Sequence, residues 1–147
     1  MSENNVYIRD DFKEYKPLGI SMYEYLKSRA GEFNELPALS FYGIKTTYKQ
    51  MFEKIEEMER ALRGFGIKKD DIVAASLPGM PEAVHIIYAI NKIGAKYCAF
   101  DCRSQENEVL ETLAKFEPKL CIIPSFQLDA FKNVNDYNVV VIDPTHS

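Results

Sequence analysis

The apolar positions change period about halfway along the chain, and the change divides it into two kinds of structure. In the first half they recur at helical spacing. Tyr23, Leu26, Ala30 and Phe33 fit one face of a helix. Ser21 followed by Glu24 is a capping-box pattern, in which hydroxyl and carboxylate each satisfy an orphan amide. Gly31 stands as a left-handed terminator, so this helix is expected to end near Ala30. Thr47 and Gln50 repeat the box, and Tyr48, Met51, Phe52, Ile55, Met58 and Leu62 follow at helical spacing until Gly64 and Gly66. The other face carries Glu53, Glu56, Glu57, Glu59 and Arg60, the composition of a solvated surface. Between the two helices, Ala38 to Tyr42 and Ile44 to Thr46 flank Gly43 and predict a small hairpin.

After Asp70-Asp71 the apolar residues become continuous. Ile72 to Leu77 reads as a strand covered on both faces. Pro81 suits the first turn of a helix that runs through Ile93 and closes at Gly94. Tyr97 to Phe100 reads as a second buried strand. Ser104 is placed as the cap of a third long helix, with Val109, Leu110, Leu113 and Phe116 on one side and Pro118 as its stop. Leu120 to Ile123 is a further strand, Phe126 to Phe131 a short helix, and Val139 to Ile142 a last strand. The alternation predicts an α/β fold: a parallel sheet of about four strands with flanking helices and right-handed crossovers, preceded by a helix and a small hairpin. Residues 1–20 form an N-terminal segment expected to be irregular.

Composition narrows the function classes. The 147 residues suffice for one domain with a core. Eighteen basic against twenty-two acidic residues leave a net charge of −4, which argues against a nucleic-acid partner, since counterion release needs a clustered cationic face. No apolar run reaches the roughly 20 residues of a membrane helix, so no membrane span is expected. The start, Met1 to Asn5, lacks the regions of a signal peptide. Cys98, Cys102 and Cys121, odd in number, fit reduced thiols, and a cytoplasmic location is expected.

The reactive groups are sparse. No Gly-Lys-Ser or Gly-Lys-Thr phosphate loop occurs. Gly64-Phe65-Gly66 follows a helix rather than a strand, so it reads as a helix terminator and not as a dinucleotide fingerprint. His85 and His146 are the only imidazoles, and His85 has no second ligand at metal spacing, so a packing role is expected. The cysteines read as small apolar side chains, and Asp70-Asp71 and Glu56-Glu57 as solvation. No catalytic or metal-binding residue is assigned. Of the loops that follow strands, only Asp101 to Ser104 carries a cation, Arg103, just before a helix amino terminus; together these favour an anion. The competing reading pairs Arg103 with Glu106 or Glu108 on the surface.

Several segments resemble the adenylate-forming ligases, the AMP-dependent synthetases that include acyl-CoA synthetases and peptide-synthetase adenylation domains. Thr46-Thr47-Tyr48-Lys49-Gln50-Met51 is similar to the family's Thr-Tyr-x-Glu-Leu element. Ala61 to Val73 resembles its following run, with Asp70 where a glycine is usual. Pro78 to Ala83, leading to Ile90-Asn91-Lys92-Ile93-Gly94-Ala95-Lys96-Tyr97, resembles its Lys-Ala-Gly-Ala-Tyr element. The resemblance implies a parent enzyme that joins a small carboxylic acid to the α-phosphate of ATP, with Mg²⁺, and passes the acyl group to CoA. It implies that residues 21–147 are an amino-terminal α/β subdomain, lacking the phosphate loop and the carboxy-terminal domain, inactive alone and holding no cofactor tightly. Its expected partner is the rest of the ligase chain, and homo-oligomerisation through an exposed apolar face is also expected. By the same resemblance, Arg103 and Lys132 are candidates to meet CoA phosphate, although Asp129 stands where a basic residue would be expected. The alternative is a self-sufficient α/β module that docks a protein partner.

Overall fold

The computed structural model describes residues 18–143; the expectations for the segment before Leu18 and for His146 lie outside the described residues. Helix α1 (Met22–Ala30) is opened by the Ser21–Glu24 capping box: the Glu24 amide donates to Ser21 Oγ at 3.1 Å and the Ser21 amide to Glu24 Oε2 at 2.8 Å. Gly31 is not its left-handed terminator. It has φ −58° and carries the chain into a 3₁₀ turn, Gly31–Phe33, so Phe33 leaves the helix face and is exposed.

Strands β1 (Pro37–Phe41) and β2 (Ile44–Thr47) pair antiparallel. Their two-residue turn, Tyr42-Gly43, has positive φ at both positions, the geometry that matches strand twist in a tight hairpin. Thr47 and Gln50 then start α2 (Tyr48–Gly64) with the second capping box.

The main sheet holds β3 (Ile72–Ala75), β4 (Lys96–Ala99), β5 (Leu120–Pro124) and β6 (Val139–Ile142), all parallel, in the order β4-β3-β5-β6. Helix α3 (Pro81–Ile93) links β3 to β4 and α4 (Glu106–Phe116) links β4 to β5; a 3₁₀ segment, Ser125–Phe131, follows β5. Side-chain alternation along the strands divides the core. Val73, Ala75, Leu120 and Ile122 pack with α1, α2 and α3 on one face of the sheet. Ala74, Cys121 and Ile123 pack with Val109 and Leu113 of α4, Phe131 and Val134 on the other. The fold is therefore a three-layer α/β/α arrangement.

Three further sequence expectations need correction. β4 is an edge strand, not a buried one: Lys96, Tyr97 and Ala99 are exposed, because only β3 pairs with it. Gln105, not Ser104, caps α4, its amide donating to Glu108 Oε2 at 3.0 Å. Leu110 and Phe116 of α4 lie largely outside the core that takes Val109 and Leu113. The position where the resembling ligases carry glycine also has a physical reason. Asp70 has φ +69°, in the left-handed region that Asp tolerates better than most residues. Its neighbour Asp71 is structural: its Oδ2 accepts from Lys119 Nζ at 2.8 Å and from the Lys68 amide at 2.7 Å, tying together the amino ends of β3 and β5. Those bonds hold the Asp71 carboxyl below its ordinary pKa.

Candidate functional site

The strand order reverses direction after β3, since β4 is added on one side and β5 on the other. In open parallel sheets ligands bind at such a switch point, beyond the carboxyl ends of the strands. Here that crevice lies between Ser76, just past β3, and the residues after β5. Both sides are joined by buried side chains. The Ser76 hydroxyl donates to Gln127 Oε1, and Gln127 Nε2 donates to the Asp101 carbonyl at 3.3 Å. Ser76 is 1% and Gln127 4% exposed. Gln127 thus ties together the loops that follow β3, β4 and β5. No sequence signal marked it: a glutamine in a short 3₁₀ segment has no period to read, and its partner lies 51 residues away.

Beside this clamp a groove of about 400 Å³ opens between the loop after β4 and the 3₁₀ segment, lined by Cys102, Arg103, Gln105, Phe126, Gln127 and Asp129 among others. Arg103 is placed at its mouth, but its partner is not the one the sequence suggested. Glu108 caps α4 and Glu106 bonds Asn133, while Arg103 forms a fork with Asp101, Nε to Oδ1 at 3.0 Å and one terminal nitrogen to Oδ2 at 2.6 Å. The Arg103 amide also donates to Asp101 Oδ1 at 2.8 Å. These bonds hold the Asp101 carboxyl down to about 2. A guanidinium has five N–H donors, so the fork orients Arg103 and leaves donors for an anion. Lys132 does not line the groove. It stands one ion pair away, 2.9 Å from Asp129, which does line it. Both members of that pair are well exposed, so the contact is easily exchanged.

The remaining candidates fall into structural roles. Gly66 has φ +79° and ends the turn after α2, as a terminator should. Cys98, Cys102 and Cys121 are free thiols; burial pushes Cys121 up to about 12 and Cys98 upward, away from nucleophilic thiolate. His85 is buried on α3, and burial lowers its pKa. Among the described residues there is no group of three or more His, Cys, Asp and Glu that could hold a metal ion. No helix among them is long and apolar enough to cross a membrane.

The doubly wound sheet and its carboxyl-end groove agree with a match in family space: the model of the AMP-binding enzyme family covers residues 26–146. The chain belongs to the AMP-binding enzyme family. As a member of this family of adenylate-forming ligases, it is 30% identical over 79 residues to acetoacetyl-coenzyme A synthetase of Rhizobium meliloti, a stretch that is 54% of this chain and 12% of that protein. It is 28% identical over 108 residues to enterobactin synthase component F of Escherichia coli O157:H7, covering 74% of this chain and 8% of that one. The chain thus spans about a tenth of the length of these curated relatives. Among solved structures, the anthranilate CoA ligase AuaEII in complex with anthranoyl-AMP superposes with a TM-score of 0.79 at 19% identity, over 86% of this chain and 26% of that one. The N-terminal subdomain of Klebsiella oxytoca NpsA, in complex with 3-hydroxyanthranilyl-AMSN, gives 0.70 at 22% identity, over 82% of this chain and 30% of that one. At these identities the structures establish the fold.

Proposed function

We propose that this AMP-binding enzyme chain acts as the amino-terminal scaffold of an AMP-forming acid–thiol ligase. The observation that carries the proposal is the groove beside the switch point, where an oriented Arg103 stands next to the clamped loops after β4 and β5. In the complete reaction a carboxylate displaces pyrophosphate from ATP, and a thiol then displaces AMP from the acyl-adenylate. The part of this chain is to position: the Gln127 clamp holds the groove open, and the free donors of Arg103 meet a phosphate of CoA. Lys132, released from Asp129, adds a second cation. ATP and Mg²⁺ are handled by residues outside this stretch, so the 147 residues alone are inactive and hold no cofactor tightly. The small carboxylic acid and the remainder of a ligase chain are the partners. The free thiols support a cytoplasmic setting. Exposed Phe126, in the groove wall, and exposed Leu128 beside it support self-association when nothing else covers them.

Three measurements test this reading. The chain alone should support no carboxylate-dependent exchange of pyrophosphate into ATP in the presence of Mg²⁺. CoA at millimolar concentration should shift the amide resonances of residues 101–106 and 125–132, and Arg103→Gln should remove most of that shift. Robust exchange by the isolated chain overturns the scaffold role, and an unchanged response in R103Q overturns the phosphate role. A monomer by light scattering at high concentration refutes self-association.

A further inference from the structure

The parallel sheet ends in two unlike edges, β4 and β6. β4 begins with the exposed Lys96, 3.9 Å from Asp70, and a lysine on an edge discourages another strand from adding there. β6 carries no such guard. It reads Val139-Val140-Val141-Ile142, with no charge, proline or glycine, and Val141 is 44% exposed. The strand is nevertheless well seated. Val140 and Ile142 pack with the core on the α3 side of the sheet, and Val139 with the core on the α4 side.

The ladder register shows which main-chain groups β6 leaves open. In a parallel pair, alternate residues of a strand turn both amide and carbonyl toward one neighbour. The Asn138 carbonyl accepts from the Cys121 amide at 2.8 Å, with Cys121 opposite Val139. The residues that face β5 are therefore Asn138, Val140 and Ile142. Val139 and Val141 turn their N–H and C=O groups away from the sheet, and among the described residues no strand lies on that side.

These outward groups are complementary to themselves. A second β6 laid antiparallel, by a two-fold axis normal to the sheet beside Val140, brings Val139 opposite Val141 of the other copy. The two residues then exchange N–H···O=C bonds in both directions, and every outward group of Val139 and Val141 is paired. Val140 meets its own copy on the opposite face, so each cross-strand contact at the centre is valine on valine. No charged side chain faces its like in this seam, and the two-fold closes on two copies without leaving a further edge of the same kind.

We propose that β6 is a docking edge for a second copy of this chain, the two sheets joining into one across antiparallel β6 strands. The seam is short and buries less than the roughly 800 Å² per partner of a standard interface, so the pair forms weakly, at ~0.1–1 mM. It is separate from the surface of Phe126 and Leu128 and does not rest on the ligase reading.

The test follows the full 147-residue chain from ~10 μM to ~1 mM by sedimentation equilibrium and amide hydrogen exchange. A monomer–dimer equilibrium is expected, with exchange at the Val139 and Val141 amides slowing as concentration rises. The Val140 amide, already bonded to β5, should be protected throughout. Val141→Pro removes an outward N–H that the β5 ladder does not use, and proline is tolerated on the open side of an edge strand. It should weaken association by about tenfold or more with an unchanged circular dichroism spectrum, whereas Val141→Thr, which keeps the N–H, and Phe126→Ser should associate as the parent does. A monomer at ~1 mM, exchange at Val139 and Val141 that ignores concentration, or association lost in Phe126→Ser but kept in Val141→Pro would overturn the proposal. The exchange measurement on the unaltered chain decides the matter even where Val141→Pro fails to fold.

Discussion

Replacing Gln127 by alanine removes the side chain that joins three loops at the switch point. Two hydrogen bonds go with it, the one accepted from Ser76 and the one donated to the Asp101 carbonyl. The consequences differ. Asp101 is exposed, so its carbonyl can be rehydrated. Ser76 is 1% exposed, so its hydroxyl loses its partner where water does not reach, at a cost of about 1–3 kcal/mol. Loss of the buried γ-methylene adds about 1 kcal/mol, which brings Gln127→Ala to about 2–4 kcal/mol of destabilisation. For a chain of this size that lowers Tm by about 2–4 °C per kcal/mol. Urea unfolding followed by circular dichroism measures the loss, and a cycle with Ser76→Ala isolates the pair. Ser76→Ala alone should cost less, and the double variant should be less destabilised than the two singles combined, by about 1 kcal/mol. Amide exchange at Arg103 and Gln105 should quicken in Gln127→Ala, because the loop that carries Arg103 loses its anchor. A cost below about 0.5 kcal/mol, or additivity within about 0.3 kcal/mol, refutes the clamp.

Other expectations follow from single sites. Asp70→Val places a β-branched residue at φ +69° and should destabilise by about 1–2 kcal/mol, whereas Asp70→Gly should be neutral or mildly stabilising; thermal unfolding distinguishes them. Thr47→Ala removes the hydroxyl that accepts the Gln50 amide at 3.3 Å and should cost about 1 kcal/mol in urea unfolding. His85 has its pKa lowered from 6.5 by burial, so the folded state binds that proton less readily than the unfolded chain. Stability should be level above pH 6.5 and decline as pH falls from there toward the depressed native value, and His85→Asn should flatten that decline. Asp101 behaves oppositely in cause and lower in range. Its carboxyl, held at about 2 by Arg103, contributes above its ordinary 3.8 and loses that contribution as pH falls toward about 2, which NMR titration of the Asp101 side chain follows.

Much of the fold was legible because its signals are local. The Ser21–Glu24 and Thr47–Gln50 boxes each lie within four residues, and both form as read. Pro81 and Gly94 bound α3 through their own backbone preferences. The continuous apolar runs from Ile72 and Leu120 became the two strands at the centre of the sheet. The errors came where a local signal was asked a long-range question. Tyr97 to Phe100 is apolar enough for a buried strand, yet its place in the sheet depends on which strands flank it, and only β3 does. Gly31 could have ended α1 in a left-handed turn, but the chain continues into the 3₁₀ turn that leads to β1.

The same division holds for the sites. Order along the chain determined the elements, their direction and the AMP-binding character, because caps, turns and apolar periods act over a few residues. Packing determined the rest: the β4-β3-β5-β6 order, the fork of Arg103 with Asp101 in place of Glu106 or Glu108, and the meeting of Ser76 with Gln127. Burial and distance between residues far apart in the chain are properties of the folded layers, and no window of sequence contains them.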